Sequence, residues 1–259
     1  MYTSLLAEVY DDSPFFAGNS DAMVRYYKKA CQEFGDVVLE LASATGTVTV
    51  PLAQSGLEVY AVDISQPMLE VLRTKLAHQS SEVRERVHIR CGDILTYVPE
   101  TKVPVVILAG NALFALPTLA DQLRALHTAW KSLDESGTLL LDVFSPNRSL
   151  LERLTDVQWS MFTVSQSGRR YLSQRFTTVD PLAQLINLTV VHEVVLEGML
   201  GARYVDELRF RYLYPAELCL ALQTVGFEIE HLYGSFDRKP KAEYEDRTIV
   251  VARKVNRGT

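Results

Sequence analysis

Three acidic residues in the first half of the chain have the type and spacing to bind a ligand. Glu40, Asp63 and Asp93 lie at or just past the ends of three successive apolar runs. Such runs are typical of strands buried on both faces of a parallel sheet. An acid at the tip of a second strand can accept hydrogen bonds from both ribose hydroxyls of a nucleoside, and one after a third strand can meet an adenine amino group. The acids therefore predict a nucleoside crevice at the carboxyl ends of the strands.

Small residues join the strand that carries Glu40 to the next helix. Residues 42–46 have the sequence Ala-Ser-Ala-Thr-Gly. A turn of small residues lets backbone N–H groups and a helix N-terminus approach a ligand closely. The turn and the acids thus point to the same crevice.

The elements that must position these residues alternate between strand and helix patterns. Strands are predicted at 37–41, 58–63, 87–91, 103–110 and 138–144, and helices at 47–55, 65–76 and 118–133. This alternation predicts an α/β fold with a Rossmann-like doubly wound, mostly parallel sheet. A helix at 218–225, followed by a hairpin of 227–234 with 247–254, adds an antiparallel last strand.

The pattern changes after Pro146, where alternation with a period of two begins. It predicts an antiparallel β insert at about 157–213. We expect one structural domain, with an N-terminal helical lid at 1–35 and a Rossmann-like domain at 36–259 that the insert interrupts. Exposed antiparallel strands also favour a homodimer.

The composition argues against several other classes of protein. A net charge of −6 disfavours a nucleic-acid partner. The longest apolar run, 103–109, is too short to span a membrane, and early acidic residues disfavour a signal peptide. Three scattered cysteines predict reduced thiols in a cytoplasmic protein without a metal site. The chain has no P-loop lysine, HExxH or GxSxG motif, which disfavours nucleotide hydrolysis, zinc proteolysis and esterase chemistry.

In the order of its acids and strands, the sequence resembles the class I S-adenosylmethionine-dependent methyltransferases over about 10–144, and more loosely over 226–237. The first loop of that family reads E/D-x-G-x-G-x-G, and here Ala42 and Ala44 replace two of the three glycines, beside Gly46. A Cβ at Ala44 can crowd the methionine moiety or oppose a positive φ. The resemblance implies S-adenosylmethionine as cofactor and a small-molecule acceptor of the natural-product or amino-sugar type.

The resemblance also implies a set of cofactor contacts around the crevice that includes Glu40. It places the methionine moiety of the cofactor at Ala42, Ser43, Ala44 and Gly46, and the sulfonium near Ala109, Gly110 and Asn111. The ribose is expected at Asp63, the adenine ring at Ile64 and Met68, and the edge of the base at Gly92, Asp93 and Ile94. Tyr10 is expected to cap the crevice.

The acceptor site is expected from residues that the resemblance places over the crevice: Phe114, Tyr233, Asp237 and His231. For each, an ordinary structural role stays open. Methyl transfer is an in-line displacement that needs alignment and exclusion of water, and a dedicated base is optional. No catalytic residue is therefore assigned. His192 interrupts an apolar strand face and is expected to be a hydrogen-bonded core histidine rather than a base.

Two classes of function stay open at this stage. One is a methyltransferase that acts on nitrogen or oxygen of a small molecule. The other is a protein of the same fold that transfers no methyl group, either a cyclase or isomerase or a non-catalytic binding subunit. Ala44 is the feature that favours the second class, and binding of S-adenosylmethionine followed by a test of turnover separates the two.

Overall fold

Seven strands form the main sheet of the protein, whose computed structural model describes residues 3–16, 21–242 and 245–255. They are β1 (Val37–Leu41), β2 (Glu58–Asp63), β3 (Val87–Cys91), β4 (Val103–Leu108), β5 (Leu133–Phe144), β10 (Phe227–Tyr233) and β11 (Arg247–Lys254). Their order is β10-β11-β5-β4-β1-β2-β3. Pairs are parallel except at β11, which is antiparallel to both β5 and β10. The predicted sheet is confirmed, with its antiparallel strand one place inside the edge.

Helices cover both faces of this sheet. They are α1 (Ser4–Val9), α2 (Asp21–Phe34), α3 (Thr49–Gln54), α4 (Gln66–Ala77), α5 (Ser81–Glu85), α6 (Leu119–Ser132), α7 (Arg148–Leu154) and α8 (Pro215–Val225), with a 3₁₀ turn at Ala112–Ala115. Apolar side chains of α2 to α5 pack on one face, and those of α6 and α8 pack on the other. The short α5, α7 and 3₁₀ turn were not predicted, because segments of this length show little helical periodicity.

Local chemistry explains where several elements begin. Thr118 caps α6, since its side chain accepts a hydrogen bond from the N–H of Asp121 at 3.1 Å. β5 begins at Leu133 rather than at the predicted Thr138, because Leu133 pairs with Val103 across an irregularity in the β4–β5 ladder. The parallel strands nevertheless end close to their predicted positions, which brings their carboxyl ends to one edge of the sheet.

The predicted insert forms a separate four-stranded antiparallel sheet, called the insert sheet below. Its strands are β6 (Gln158–Thr163), β7 (Arg170–Asp180), β8 (Leu185–Leu196) and β9 (Met199–Arg211), in that order. Alternate residues of β8 are buried, so the sheet has one inner and one outer face. The outer face exposes large apolar side chains, Trp159, Met161 and Val205.

The N-terminal segment lies between the main sheet and the insert sheet. Leu6 and Val9 of α1 share an apolar cluster with Met68 of α4 and Tyr171 of β7. The helices expected within 1–35 are present as α1 and α2, while residues 1–2 and 17–20 of that range lie outside the described residues. In the described part of the chain, no helix has both the length and the apolar character to cross a membrane.

Candidate active site

The loop between β1 and α3 has the backbone of a glycine-rich turn, although two of its positions carry alanine. Ala42, Ala44 and Gly46 have positive φ angles of 64°, 47° and 79°. Glycine is needed at 46 because an added Cβ would lie 2.2 Å from Cδ1 of Leu72. At each alanine the left-handed conformation costs roughly 1–2 kcal/mol. Ala44 therefore adopts the conformation that its Cβ was expected to oppose.

The carboxylate of Asp63, at the tip of β2, holds this loop in place. Its Oδ2 accepts a hydrogen bond from the N–H of Ala44 and its Oδ1 one from the N–H of Ser65, both at 2.8 Å. Burial raises the pKa of Asp63, whereas the backbone hydrogen bonds lower it. A carboxylate offers about four acceptor positions, so Asp63 keeps capacity for the hydroxyls of a ligand.

Two serines beside Asp63 provide a test of whether a polar ligand fits here. The hydroxyls of Ser43 and Ser65 are buried, and neither has a hydrogen-bond partner within the described part of the chain. Buried polar atoms in proteins are nearly always paired. The two hydroxyls and the remaining capacity of Asp63 therefore fit the adenosyl cofactor that the resemblance implies.

Glu40 lies inside the protein rather than on the surface of the crevice. Its carboxylate is buried and accepts a hydrogen bond from Oγ1 of Thr49 in α3. Burial is the main cause that raises the pKa of Glu40 to about 8; the Thr49 hydrogen bond lowers the pKa, and the nearby Asp63 raises it. The structure thus brings Glu40 close to Asp63, but as a support for the loop between β1 and α3.

The tip of β3 lies beside the tip of β2, as predicted. The N–H of Gly92 donates to the backbone oxygen of Asp63 at 3.0 Å, and Oδ1 of Asp93 accepts a hydrogen bond from a backbone N–H two residues later at 2.9 Å. Ile64 is half exposed. Met68, which was expected against the adenine, is fully buried beneath α1 instead, because it points into the cluster that α1 covers. Ile94 is buried next to the same edge of the sheet.

Tyr10 follows α1 and packs on the loop that carries Ala44. It stacks on Phe16 with ring centroids 5.4 Å apart, and both rings adjoin the cluster that includes Ala44. The structure therefore brings the predicted cap close to the loop predicted to hold the methionine moiety.

The two residues after Tyr10 connect both halves of the molecule, and the sequence did not single them out. Oδ1 of Asp11 accepts a hydrogen bond from Thr45 at 2.7 Å, and its Oδ2 pairs with Lys75 at 2.6 Å. Asp12 accepts hydrogen bonds from the N–H and the hydroxyl of Ser165, in the β6–β7 turn. The hydroxyl-rich character of residues 45–49 was the one sequence feature that pointed to hydrogen-bond partners for these two acids. A single sequence does not indicate which distant positions along the chain contact each other.

A third buried carboxylate, Asp142 in β5, organises the tip of β4. It accepts hydrogen bonds from the N–H of Gly110 at 2.8 Å and from the hydroxyl of Tyr27 at 2.7 Å, and it pairs with Arg247. Asn111 has a φ of 68°, and its Oδ1 accepts a hydrogen bond from the last N–H of β5 at 2.6 Å. The residues predicted beside the sulfonium are thus held together at one strand tip by a network that sequence reasoning missed.

The four predicted acceptor residues lie in different surroundings. Phe114 is fully buried in the core, edge-on to Phe144 at 5.0 Å, so its side chain supports the site from beneath. His231 is exposed on the edge strand and stacks on Tyr233 at 5.4 Å. Asp237 is exposed in the β10–β11 connection. The structure does not bring these four side chains together.

Comparison with known proteins places these features in a family. Residues 38–137 match a family model described as a methyltransferase domain. The CcbJ methyltransferase of Streptomyces caelestis is 30% identical in sequence, with 97% of this chain and 96% of that chain covered and a TM-score of 0.78. The cypemycin N-terminal methyltransferase of a Streptomyces species is 24% identical, with coverage of 97% and 96%.

A more distant structure shares the fold. CalS10 of Micromonospora echinaspora is an amino pentose methyltransferase of calicheamicin biosynthesis, and its structure has S-adenosylmethionine bound. It is 17% identical, covers 98% of each chain and has a TM-score of 0.71. The likeness extends over the insert sheet as well as the main sheet.

Proposed function

Because the chain belongs to the S-adenosylmethionine-dependent methyltransferases, we propose that it methylates a nitrogen atom of a small natural product. Two of the proteins it is similar to are named for acceptors that carry an amino group, an amino pentose and a peptide N-terminus. An amine needs only to be deprotonated to attack a methyl group, so it makes a smaller demand on acid–base chemistry than a hydroxyl does.

One observation carries the assignment of the cofactor site. One loop holds three left-handed residues, of which Ala44 donates its N–H to the carboxylate of Asp63, and two serine hydroxyls beside that carboxylate are unpaired in the described structure. A strained turn persists only where the surrounding structure holds it. We assign the methionine moiety to residues 42–46, the ribose hydroxyls to Asp63, and the adenine to the surface between Ile64 and residues 92–94.

The remaining groups align the reactants and exclude water. When bound, S-adenosylmethionine supplies an electrophilic methyl group on a positively charged sulfonium. Gly110 and Asn111, held by Asp142, form the wall beside the reacting atoms, and Tyr10 closes the crevice from the N-terminal side. Asp11 and Asp12 connect that segment to both the cofactor loop and the insert sheet, which supports a lid function for residues 1–35. Alignment and exclusion of water are the main sources of rate in such a displacement.

The alternative function, a protein of this fold without methyl transfer, depended on Ala44. In the structure, Ala44 adopts a φ of 47°, and its Cβ packs towards the apolar cluster under α1. The presence of alanine at this position therefore no longer favours the alternative function.

Two measurements test the proposal. We expect S-adenosylmethionine to bind at micromolar concentration, and a panel of amino sugars and small cyclic amines to release S-adenosylhomocysteine. Matched hydroxyl compounds in place of the amines serve as the control. Failure to bind the cofactor, or turnover of the hydroxyl compounds alone, would contradict it.

Other expectations stay predictions. They are the homodimer, the cytoplasmic location and the lack of a nucleic-acid partner. One candidate surface for the homodimer is the apolar outer face of the insert sheet.

A further inference from the structure

The inner face of the insert sheet has three parts. One end, which includes Tyr171 and Val194, packs on the cluster that contains Ala44 and α1. The other end, which includes Ile186 and Phe210, packs on the core that contains the 3₁₀ turn after β4. The middle, around residues 188–192 of β8, lies between these two ends, and of its partners on β9 only Leu208 adjoins the first cluster.

Unpaired polar atoms are concentrated in that middle part. Each of four side chains has a buried atom without a hydrogen-bond partner in the described part of the chain: Nε of Arg175, Oγ1 of Thr177, Nε2 of His192 and Oδ2 of Asp206. His192 is fully buried and Asp206 is 5% exposed. An unpaired buried polar group destabilises a protein, so a cluster of them on one face suits the binding of a polar ligand.

The strand register places three of these side chains on the same face. Arg175 on β7 and Asp206 on β9 both lie directly opposite Val190 on β8. Directly opposite residues of antiparallel strands point to the same side of the sheet. His192 is two residues beyond Val190 on that side, and its Nδ1 is 2.6 Å from the hydroxyl of Ser173. The other ring nitrogen, Nε2, is left for a ligand.

The arginines of the insert sheet show why Arg175 is unusual. Arg203 pairs with Glu193, Arg209 bonds to Asn187, and Arg211 bonds to glutamine side chains. Arg175 has no acidic partner within the described residues, and its guanidinium lies 5.4 Å from the centre of the Phe15 ring. Burial lowers the pKa of Arg175 and favours its neutral form, yet an arginine keeps its charge in proteins. A partly buried cation without a counter-ion suits an anionic group of a ligand.

We propose that the middle of the inner face of the insert sheet binds an acceptor that carries both an amine and an acidic group, with Asp206 and His192 at the amine and Arg175 at the acidic group. This inference rests on the proposed function. Asp206 pairs with the ammonium form of the acceptor. Nε2 of His192 then takes a proton from that ammonium. The lone pair of the resulting amine forms the new C–N bond while the C–S bond breaks and its electron pair stays on sulfur.

The properties of His192 support this role. Burial lowers its pKa, and the nearby Asp206 carboxylate raises it. Burial thus favours the neutral ring, whereas Asp206 favours the charged ring once a proton arrives. Nε2 of His192 and Oδ2 of Asp206 both lack a partner among the described residues, whereas Oδ1 of Asp206 accepts a hydrogen bond from the hydroxyl of Thr3 at 2.8 Å.

The test uses the full chain saturated with S-adenosylhomocysteine. Three matched pairs of probes differ only in a carboxylate: tyrosine and tyramine, tryptophan and tryptamine, proline and pyrrolidine. We expect the acid of at least one pair to bind about tenfold more tightly than its amine, as measured by calorimetry. R175Q should abolish that preference, whereas R209Q, on the outer face, should keep it. D206N should weaken both members of the pair, whereas its exposed neighbour E207Q should not.

The outcomes separate this inference from the proposed function. If the wild type fails to bind S-adenosylmethionine, the proposed function fails. If it binds the cofactor but no probe, or shows no preference for the acids, or keeps the preference in R175Q, the inference is overturned. Unchanged cofactor affinity in R175Q shows that the variant is folded.

Discussion

The two sides of the crevice differ in how they treat buried charge. On the side of the main sheet, the carboxylates of the partly exposed Asp11 and of the buried Asp63 and Asp142 are all paired with groups of the chain itself. On the side of the insert sheet, Arg175 and Asp206 each keep an unpaired buried atom, although the other carboxylate oxygen of Asp206 is bonded to Thr3. A paired charge holds its neighbours in one geometry before any ligand arrives, whereas a buried polar atom without a partner costs free energy until a ligand pairs with it. The main sheet is thus organised for a constant cofactor, and the insert sheet for the variable acceptor.

The largest expected effect tests the organised side. D63A should weaken S-adenosylmethionine binding by roughly 1.5–3 kcal/mol, the scale of hydrogen bonds to a charged group. It removes the ribose partner and also frees the N–H groups of Ala44 and Ser65. Calorimetry measures the affinity, with D237A as the exposed acidic control. Equal affinity in D63A and the wild type would show that the ribose lies elsewhere.

A matched pair of threonines compares the two sides directly. The buried hydroxyl of Thr45 donates to Asp11 at 2.7 Å, whereas the buried hydroxyl of Thr177 in the insert sheet has no partner in the described structure. T45V should lower the free energy of unfolding by about 1.5 kcal/mol, since it removes a hydrogen bond to a charge. T177V should leave it unchanged or raise it by up to about 1 kcal/mol. Urea unfolding measures both, and equal losses would contradict the contrast.

A smaller gain is expected from the strained loop. A44G should raise the free energy of unfolding by about 1 kcal/mol, because glycine adopts a φ of 47° without the steric cost that alanine meets. The greater freedom of glycine in the unfolded chain offsets part of this gain. A53G, at a fully buried position in the last turn of α3, is the control and should be destabilising. A loss of stability in A44G would show that the cluster under α1 needs the Cβ.

The last expected effect concerns the pH dependence of stability. Glu40 has a pKa of about 8 in the folded protein, against 4.5 as its ordinary value. The folded state therefore keeps a proton that the unfolded state releases, and stability falls as the pH rises between these two values. E40Q mimics the neutral form, so its melting temperature relative to the wild type should rise from pH 5 to pH 8. Parallel profiles for the two proteins would mean that Glu40 is ionised when folded.

Much of the organised side was predictable because its signals are local. The apolar runs of β1 to β4, the small residues 42–46 and the acid at each strand tip lie within short windows of sequence. Parallel strands bring their carboxyl ends to one edge of a sheet, so a residue that follows a predicted strand can be placed at the crevice from the sequence alone. The resemblance, by contrast, placed Met68 and Phe114 at the ligand, and the side chains of both are fully buried. Which face of a helix or turn meets the core depends on a neighbour that a local pattern does not reveal.

The sequence alone was enough for the alternation of elements, the family of the fold and the candidate ribose acid, since each depends on residue type and spacing within a strand–loop–helix unit. Tertiary structure alone decided the rest. Asp11 meets Thr45, Asp142 meets Arg247, and Arg175 shares a face with Asp206 only after long-range pairing. The reason is physical: these groups interact through space over a few ångströms, and the chain between them carries no periodic signal of that proximity.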